Sequence, residues 1–346
     1  KSLVKRLEEL LKSIRESIMR AVICSKFGSP EDLEVKEVEE PVTGANQVKL
    51  KVEACGVNFP DTLIINNKYQ FKPDLPFSPG GEVAGIVEEV GEGVKNFAVG
   101  DKVMTTTIHG GFAEKLVVGT EMLMKRPEKM SGVVASGIQI TYGTSMHALK
   151  QRASLQKGET LLVLGAAGGV GISAVEIGKA MGATVIGAAS TDEKLEVVKK
   201  AGADHLINYG KDDLRERLKE ITGQKESYDV LYDPVGADLF EPALRSIRWN
   251  GRALVIGFAG GDDKIPRVPM NLPLLKGCAI VGVFWGSFRV RESKEELANF
   301  QQLFEWFNNG DIDPLVSDVY PLEEAAVALR KLMNRQAVGK IVLTTE

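Results

Sequence analysis

Residues 158–179 read GETLLVLGAAGGVGISAVEIGK. An apolar run, Thr160–Leu164, leads into the glycine-rich turn Gly165–Gly171, and from Gly169 onward the pattern becomes helical. A glycine pattern alone is weak, because a tight structural turn uses the same residues; a strand before it and a helix after it give it the context of a dinucleotide fingerprint. Ala166 stands where the first fingerprint glycine usually sits, and Gly168 and Gly171 supply the other two. Gly168 lets the backbone approach a pyrophosphate, and Gly171 lets helix and strand pack closely. The helix N-terminus, Gly169 and Val170, offers unpaired N–H groups to the anion.

The surrounding chain has the matching frame. From Gly158 to about residue 284, apolar strands alternate with helical segments: TLLVLG, TVIGAAS, DHLINY, YDVLYD, RALVIGF and AIVGVF are six strands, the number a complete doubly wound sheet needs. Residues 144–285 are expected to form this domain. Residues 19–143 read as short strands joined by glycine turns, among them QVKLKVEACGV and FAEKLVVG. The tail carries a helix around Glu295–Asn309 and ends in VGKIVLTTE, a strand expected to return to the first domain, so that 19–143 and 286–346 form one discontinuous β-rich domain. Residues 1–18 place Leu3, Leu7, Leu10 and Ile14 on one helical face. This amphipathic helix precedes a native start expected at Met19 and is either a docking element or an added or processed segment.

The second nucleotide-domain strand ends in Ser190 and Thr191, where a site for NAD carries an Asp or Glu on the ribose hydroxyl. Small hydroxyls followed by Lys194 suit a 2′-phosphate instead, a point charge for a dianion, so NADPH is the expected cofactor. Lys194 could equally be a solvated lysine on an amphipathic helix; the missing carboxylate favours the functional reading. Asp192 is expected to act as the helix N-cap.

Composition narrows the classes. The 346 residues are 44% hydrophobic with a net charge of −4, enough for two cores and without the basic surface that nucleic acid requires. Cys24, Cys55 and Cys278 are scattered and odd in number, which excludes a disulfide framework and fits a reducing cytoplasm. No apolar run reaches the roughly 18 residues that span a bilayer.

The stretch from Gly158 to Lys179 closely resembles the signature of the quinone oxidoreductase/zeta-crystallin family of zinc-free medium-chain dehydrogenases/reductases, with Glu176 where that signature has Gln. The resemblance runs from Met19 to Thr344 through ACGVNFPDTL, PFSPGGEVAGIVEEVGEGV, TYGTSMHAL, GADHLINY, YDPVG and VGKIVL. It implies an α/β protein with a GroES-like β-rich catalytic domain and a six-stranded Rossmann domain. It also implies that Lys194, Tyr209 and Arg335 surround the 2′-phosphate, and that Asn58, with Thr141 near it, lies beside the nicotinamide. Zinc members carry Cys where this chain has Asn58 and His where it has Gly81. An amide and a glycine cannot replace those donors, and Glu82 has no evident partners, so no metal is expected.

Without a Lewis acid the expected acceptor is electron-poor and conjugated. The leading expectation is hydride transfer from NADPH to a quinone. Reduction of activated C=C bonds in an enal, enone, acrylate or enoyl thioester is the alternative, and a non-catalytic NADPH-binding or structural protein is a third reading from another class. Tyr69, the loop Asn58–Leu63 and the segment with Phe284 and Trp285 are expected to line the acceptor site, although Trp285 reads nearly as well as a core residue. Leu63 replaces a Tyr that some family members have. The edge strand VGVFWG suggests a homodimer, and the leading helix could add a higher assembly.

Overall fold

The computed structural model describes residues 17–261 and 265–345, so the expected N-terminal helix lies outside the described residues as far as position 16, and Ile18 already opens a strand. In chain order the strands are β1 (Ile18–Ile23), β2 (Glu34–Glu39), β3 (Gln47–Val57), β4 (Glu82–Val90), β5 (Lys102–Thr106), β6 (Lys115–Gly119) and β7 (Met124–Lys125). Then come β8 (Thr160–Val163), β9 (Thr184–Ala189), β10 (His205–Asn208), β11 (Tyr228–Asp233), β12 (Ile247–Val255) and β13 (Ala279–Gly282), followed by β14 (Val316–Pro321) and β15 (Lys340–Thr344). The described residues up to Gln139 together with those from Val316 form one compact unit, and Ile140–Leu315 form a second.

The first unit is built on β3. Its sequence alternates, so Val48, Leu50 and Val52 are fully buried while Gln47, Lys49 and Lys51 lie on the other face. The sheet runs β14-β15-β3-β4-β5-β7, with β6 added to β3. The terminal strand β15 pairs antiparallel with β3, placing Ile341 opposite Val57, and β4 pairs on the other side, placing Glu82 opposite Gly56. Two helices interrupt what reads as continuous strand text. Phe59–Ile65 is a helix capped by Asn58, so the segment expected to be a loop from Asn58 to Leu63 is helical; the bond from Asn58 N–H to Asp61 Oδ2 and Pro60 in the first turn favour it. Gly132–Met146 is also a helix, buried on almost every side, which removes the amphipathic stripe that would have marked it.

In the second unit the strands lie in the order β10-β9-β8-β11-β12-β13, every pairing parallel. This is the doubly wound order expected for the Rossmann domain. A parallel sheet is covered on both faces, and accordingly β8, β9 and β11 are almost wholly buried rather than alternating. The helices Trp285–Arg291 and Ser293–Asn309 belong to this unit, not to the β-rich one in which the tail from residue 286 is expected. The Trp285 indole donates to Glu296 Oε1 at 2.8 Å and ties the two helices together.

The helix Gly169–Ala180 meets the end of β8 at Gly171. A Cβ there would lie 2.3 Å from Gly165 O and 2.7 Å from Ala166 Cα, both backbone atoms that cannot move aside. Overpacking of this kind costs about 1–3 kcal/mol. Gly171→Ala should therefore lower the urea midpoint by an amount in that range without changing the slope of the transition, and an unaltered midpoint would show that helix and strand are not in close contact.

Candidate active site

In the second unit the turn between β8 and its helix is shaped by three glycines. Gly165 takes φ +56°, so the left-handed bend falls one residue before the first fingerprint position and Ala166 fits there, fully buried, with its N–H bonded to Ala188 O at 2.9 Å. Gly168 caps the helix in an extended conformation, and a Cβ on it would meet only Gly165 O at 3.5 Å. Gly168, Gly169 and Val170 stay half-exposed, so the helix start, whose first N–H groups have no intrahelical acceptor, is open to an anion. A dinucleotide pyrophosphate fits this cradle. Behind it, Ser145 Oγ lies 2.7 Å from both Ser173 Oγ and Tyr232 OH, and both serine hydroxyls lie 3.1 Å from Val170 O, a network that fixes the first turn from below. Asp233 Oδ1 accepts from the N–H groups of Val235 and Gly236 at 2.8 and 2.9 Å and shapes the YDPVG turn next to Gly165.

Ser190 and Tyr209 are brought together because β9 and β10 are parallel neighbours. Ser190 follows β9, Tyr209 follows β10, and the Tyr209 N–H donates to Ala189 O at 3.0 Å. Lys194 sits in the first turn of the helix Asp192–Lys200. The cap of that helix is Thr191, whose hydroxyl accepts from Lys194 N, and not Asp192 as expected. Asp192 instead takes Asn208 Nδ2 at 2.5 Å and pairs with Lys211, which lowers its pKa and draws its charge to that side. Phe284 lies just past β13 and is 63% exposed, available to a planar ligand, whereas Trp285 is buried and bonded to Glu296, which makes it a core residue. Thr141 is buried on its helix, with its carbonyl accepting from Ser173 Oγ at 3.1 Å.

One turn further along the cofactor helix from Ser173, Glu176 is buried and accepts on a single oxygen, Oε2, from Tyr142 OH at 2.6 Å and Asp313 N at 3.3 Å. Burial pushes its pKa up to about 7.

In the first unit the strand register assembles a polar cluster. Lys340 at the head of β15 reaches over Gly56, donating to Asn58 Oδ1 at 2.5 Å and to Glu82 Oε2 at 2.8 Å. Asn58 Nδ2 donates to Glu82 Oε2 at 2.9 Å and to Gly56 O at 3.3 Å. Glu82, expected to lack fellow metal ligands, accepts instead from an amide and an ammonium. The Lys340 side chain is 7% exposed and that of Glu82 0%. Asp61, also buried, accepts from Asn58 N at 2.7 Å, and desolvation raises its pKa to about 7. Tyr69 packs at the edge of this unit's core, and burial, with the Asp61 charge second, raises the phenol pKa, so it stays a neutral donor. Arg335 is exposed in a left-handed turn after the helix Ala325–Met333. Lys340 is absent from the sequence-based site; its signal was a single lysine leading the apolar run Ile341–Leu343. Among the described residues no group of three or more His, Cys, Asp or Glu side chains could hold a metal ion.

Comparison with known proteins follows this geometry. A model of the alcohol dehydrogenase GroES-like domain matches residues 44–147, and one of the zinc-binding dehydrogenases matches residues 169–306. A quinone oxidoreductase-like protein 2 homolog of Nematostella vectensis is 37% identical over 330 residues, covering 94% of this chain and 89% of that protein. The quinone oxidoreductase of Sus scrofa is 36% identical, with 95% and 98% covered. The crystal structure of Escherichia coli quinone oxidoreductase complexed with NADPH superposes with a TM-score of 0.84 at 31% identity, covering 94% of this chain and 99% of that one.

Glu176 generates a prediction. Its folded pKa lies above the ordinary 4.5, so the folded chain retains a proton that the unfolded chain has lost, and the carboxyl subtracts stability as pH rises from about 4.5 through 7. An amide oxygen can take both bonds now made to Oε2. Glu176→Gln should match the native protein at pH 5 and exceed it by of order 1–3 kcal/mol at pH 8. Thermal melts across this range check it, and parallel curves for the two proteins would contradict it.

Proposed function

The chain belongs to the zinc-free quinone oxidoreductase family of the medium-chain dehydrogenases/reductases, and from that premise we propose that it transfers a hydride from NADPH to a quinone. The observation that carries this reading is the Lys340–Asn58–Glu82 cluster. Where zinc members place thiolate and imidazole donors, this chain packs an amide held by an ammonium–carboxylate pair. With no Lewis acid to polarise a simple ketone, the acceptor has to be intrinsically electron-poor.

NADPH, when bound, supplies the hydride from nicotinamide C4. The open helix start at Gly168, Gly169 and Val170 takes the pyrophosphate. Lys194 and Arg335 neutralise the 2′-phosphate while Ser190 and Tyr209 donate hydroxyls to it. The exposed Phe284 ring offers an apolar face. Asn58, Thr141 and Tyr69 hold neutral polar groups near the reacting partners, positioning them without ionising. The quinone gains two electrons with the hydride, and a proton from water completes the hydroquinone. A conjugated alkene accepts hydride by the same chemistry at its β-carbon, and this is the second reading.

A homodimer fits the end strand β13, where Ile280 is exposed, with Trp249, Leu274, Leu275 and Val290 exposed in the same unit. Light scattering should give twice the 37.5 kDa chain mass, and Ile280→Lys should return the monomer; a monomeric native protein would defeat this reading.

NADPH oxidation by a para-quinone should survive dialysis against a chelator. Saturated alkene as the main product, with little quinone turnover, would move the acceptor to the second reading. For cofactor choice, Lys194→Ala with Arg335→Ala should weaken NADPH by roughly 10²-fold while changing NADH only a few-fold; equal losses would contradict the phosphate role.

A further inference from the structure

The amide of Asn58 has a fixed orientation. Its two N–H groups go to Glu82 Oε2 and Gly56 O, at 2.9 and 3.3 Å, and its oxygen already receives Lys340 Nζ at 2.5 Å. An amide has two donors and an oxygen with two lone pairs. What is left over for any ligand is one lone pair on Oδ1. Turning the amide over would set its NH2 against the ammonium and its oxygen against the carboxylate and a carbonyl, so the charge pair forbids the flip. All three side chains are more than nine-tenths buried, and water does not compete for these bonds.

The pair can do this only because three strands present it. Glu82 lies opposite Gly56 on β4, Ile341 lies opposite Val57 on β15, and Lys340 precedes Ile341. Gly56 leaves the room for the lysine: a Cβ there would be 2.8 Å from Lys340 Cε and 2.9 Å from Glu82 Oε2. The cluster is therefore a preorganised device whose output is the Asn58 oxygen.

We propose that Lys340 and Glu82 are positioning residues that hold Asn58 as a hydrogen-bond acceptor only. The site then selects a neutral N–H or O–H donor at that point, and Asn58 gives no hydrogen bond to a carbonyl of the cofactor or the acceptor. This rests on the reading above, that Asn58 faces the reacting partners. The donor it takes comes either from the carboxamide of the nicotinamide ring or from a hydroxyl of the reduced acceptor.

Two arms of one experiment separate these sources. In the first, fluorescence titration compares NADPH with its reduced 3-acetylpyridine analogue, whose methyl ketone has no N–H donor. In the second, hydroquinone is compared with its dimethyl ether as an inhibitor of NADPH oxidation. The native protein should prefer the donor-bearing compound about tenfold in one arm, the worth of one well-made hydrogen bond. Lys340→Met combined with Glu82→Met should reduce that preference to within about twofold, because the released amide can turn and donate to the ketone or ether oxygen, whereas Glu82→Gln, whose amide oxygen can take both bonds now made to Oε2, should keep it. Removing both charges together leaves neither buried without its partner, so the test stands even where removing the lysine alone unfolds the chain. No preference in either arm, or a preference that the double substitution leaves intact, overturns the proposal and reduces the pair to a structural role. The first arm contains no quinone, so failure of the quinone reading does not obscure it.

Discussion

A lysine ammonium closed off from water beside a fully buried carboxylate is the constraint around which the first unit is organised. Desolvating each charge costs several kcal/mol, and their attraction offsets this only where geometry is good and the remaining hydrogen-bonding capacity is filled. Here Asn58 fills it: its amide oxygen takes the ammonium and its NH2 takes the carboxylate. That requirement fixes the register of β15 on β3 and of β3 on β4, because a slip of one residue would turn Lys340 or Glu82 to the opposite face of the sheet. It also requires that residue 56 have no side chain.

The second unit solves a different problem with different means. Its task is to present unpaired backbone N–H groups at a helix start without letting that start fray. Close contact at Gly171 seats the helix on β8, and the hydroxyls of Ser145, Ser173 and Tyr232 hold the first turn through Val170 O. These groups are neutral, so they brace the loop without placing a negative charge where an anion would bind. Asp192 and Asp233, the nearby acids at the strand ends, are both engaged elsewhere, the first by Lys211 and Asn208 and the second by the backbone of the YDPVG turn.

What could be read in the sequence was what is local in it. The strand–turn–helix at Gly158–Lys179, the six parallel strands and the adjacency of Ser190 and Tyr209 follow from short segments with regular spacing. The glycine turn before the helix was legible even with Ala166 in place of glycine, because the bend falls on Gly165. Elements with little periodicity were lost. The helix Gly132–Met146 is buried nearly all round, and Phe59–Ile65 is too short to show a stripe. At the end of β9, Thr191 and Asp192 both have cap-forming side chains, and only the backbone shows that Thr191 holds the position. Lys340 and Glu82 meet across 258 positions, a separation no local pattern records, although a charged residue leading an apolar strand marks a place where a charge must be satisfied inside.

These two solutions constrain the chemistry together. Zinc chemistry in this superfamily polarises a carbonyl directly; an amide whose N–H groups are both engaged cannot do so. On the proposed reading, stabilisation of charge on the acceptor comes mainly from the acceptor's own delocalisation, with the fixed ammonium of Lys340 contributing through its field rather than through a proton. Quinones and conjugated carbonyls meet that condition and isolated ketones do not. On the proposed reading, Asn58 and Gly81, which stand where zinc members carry Cys and His, are coupled to Lys340 and Glu82: the cluster that holds the Asn58 amide goes with an acceptor that needs no metal.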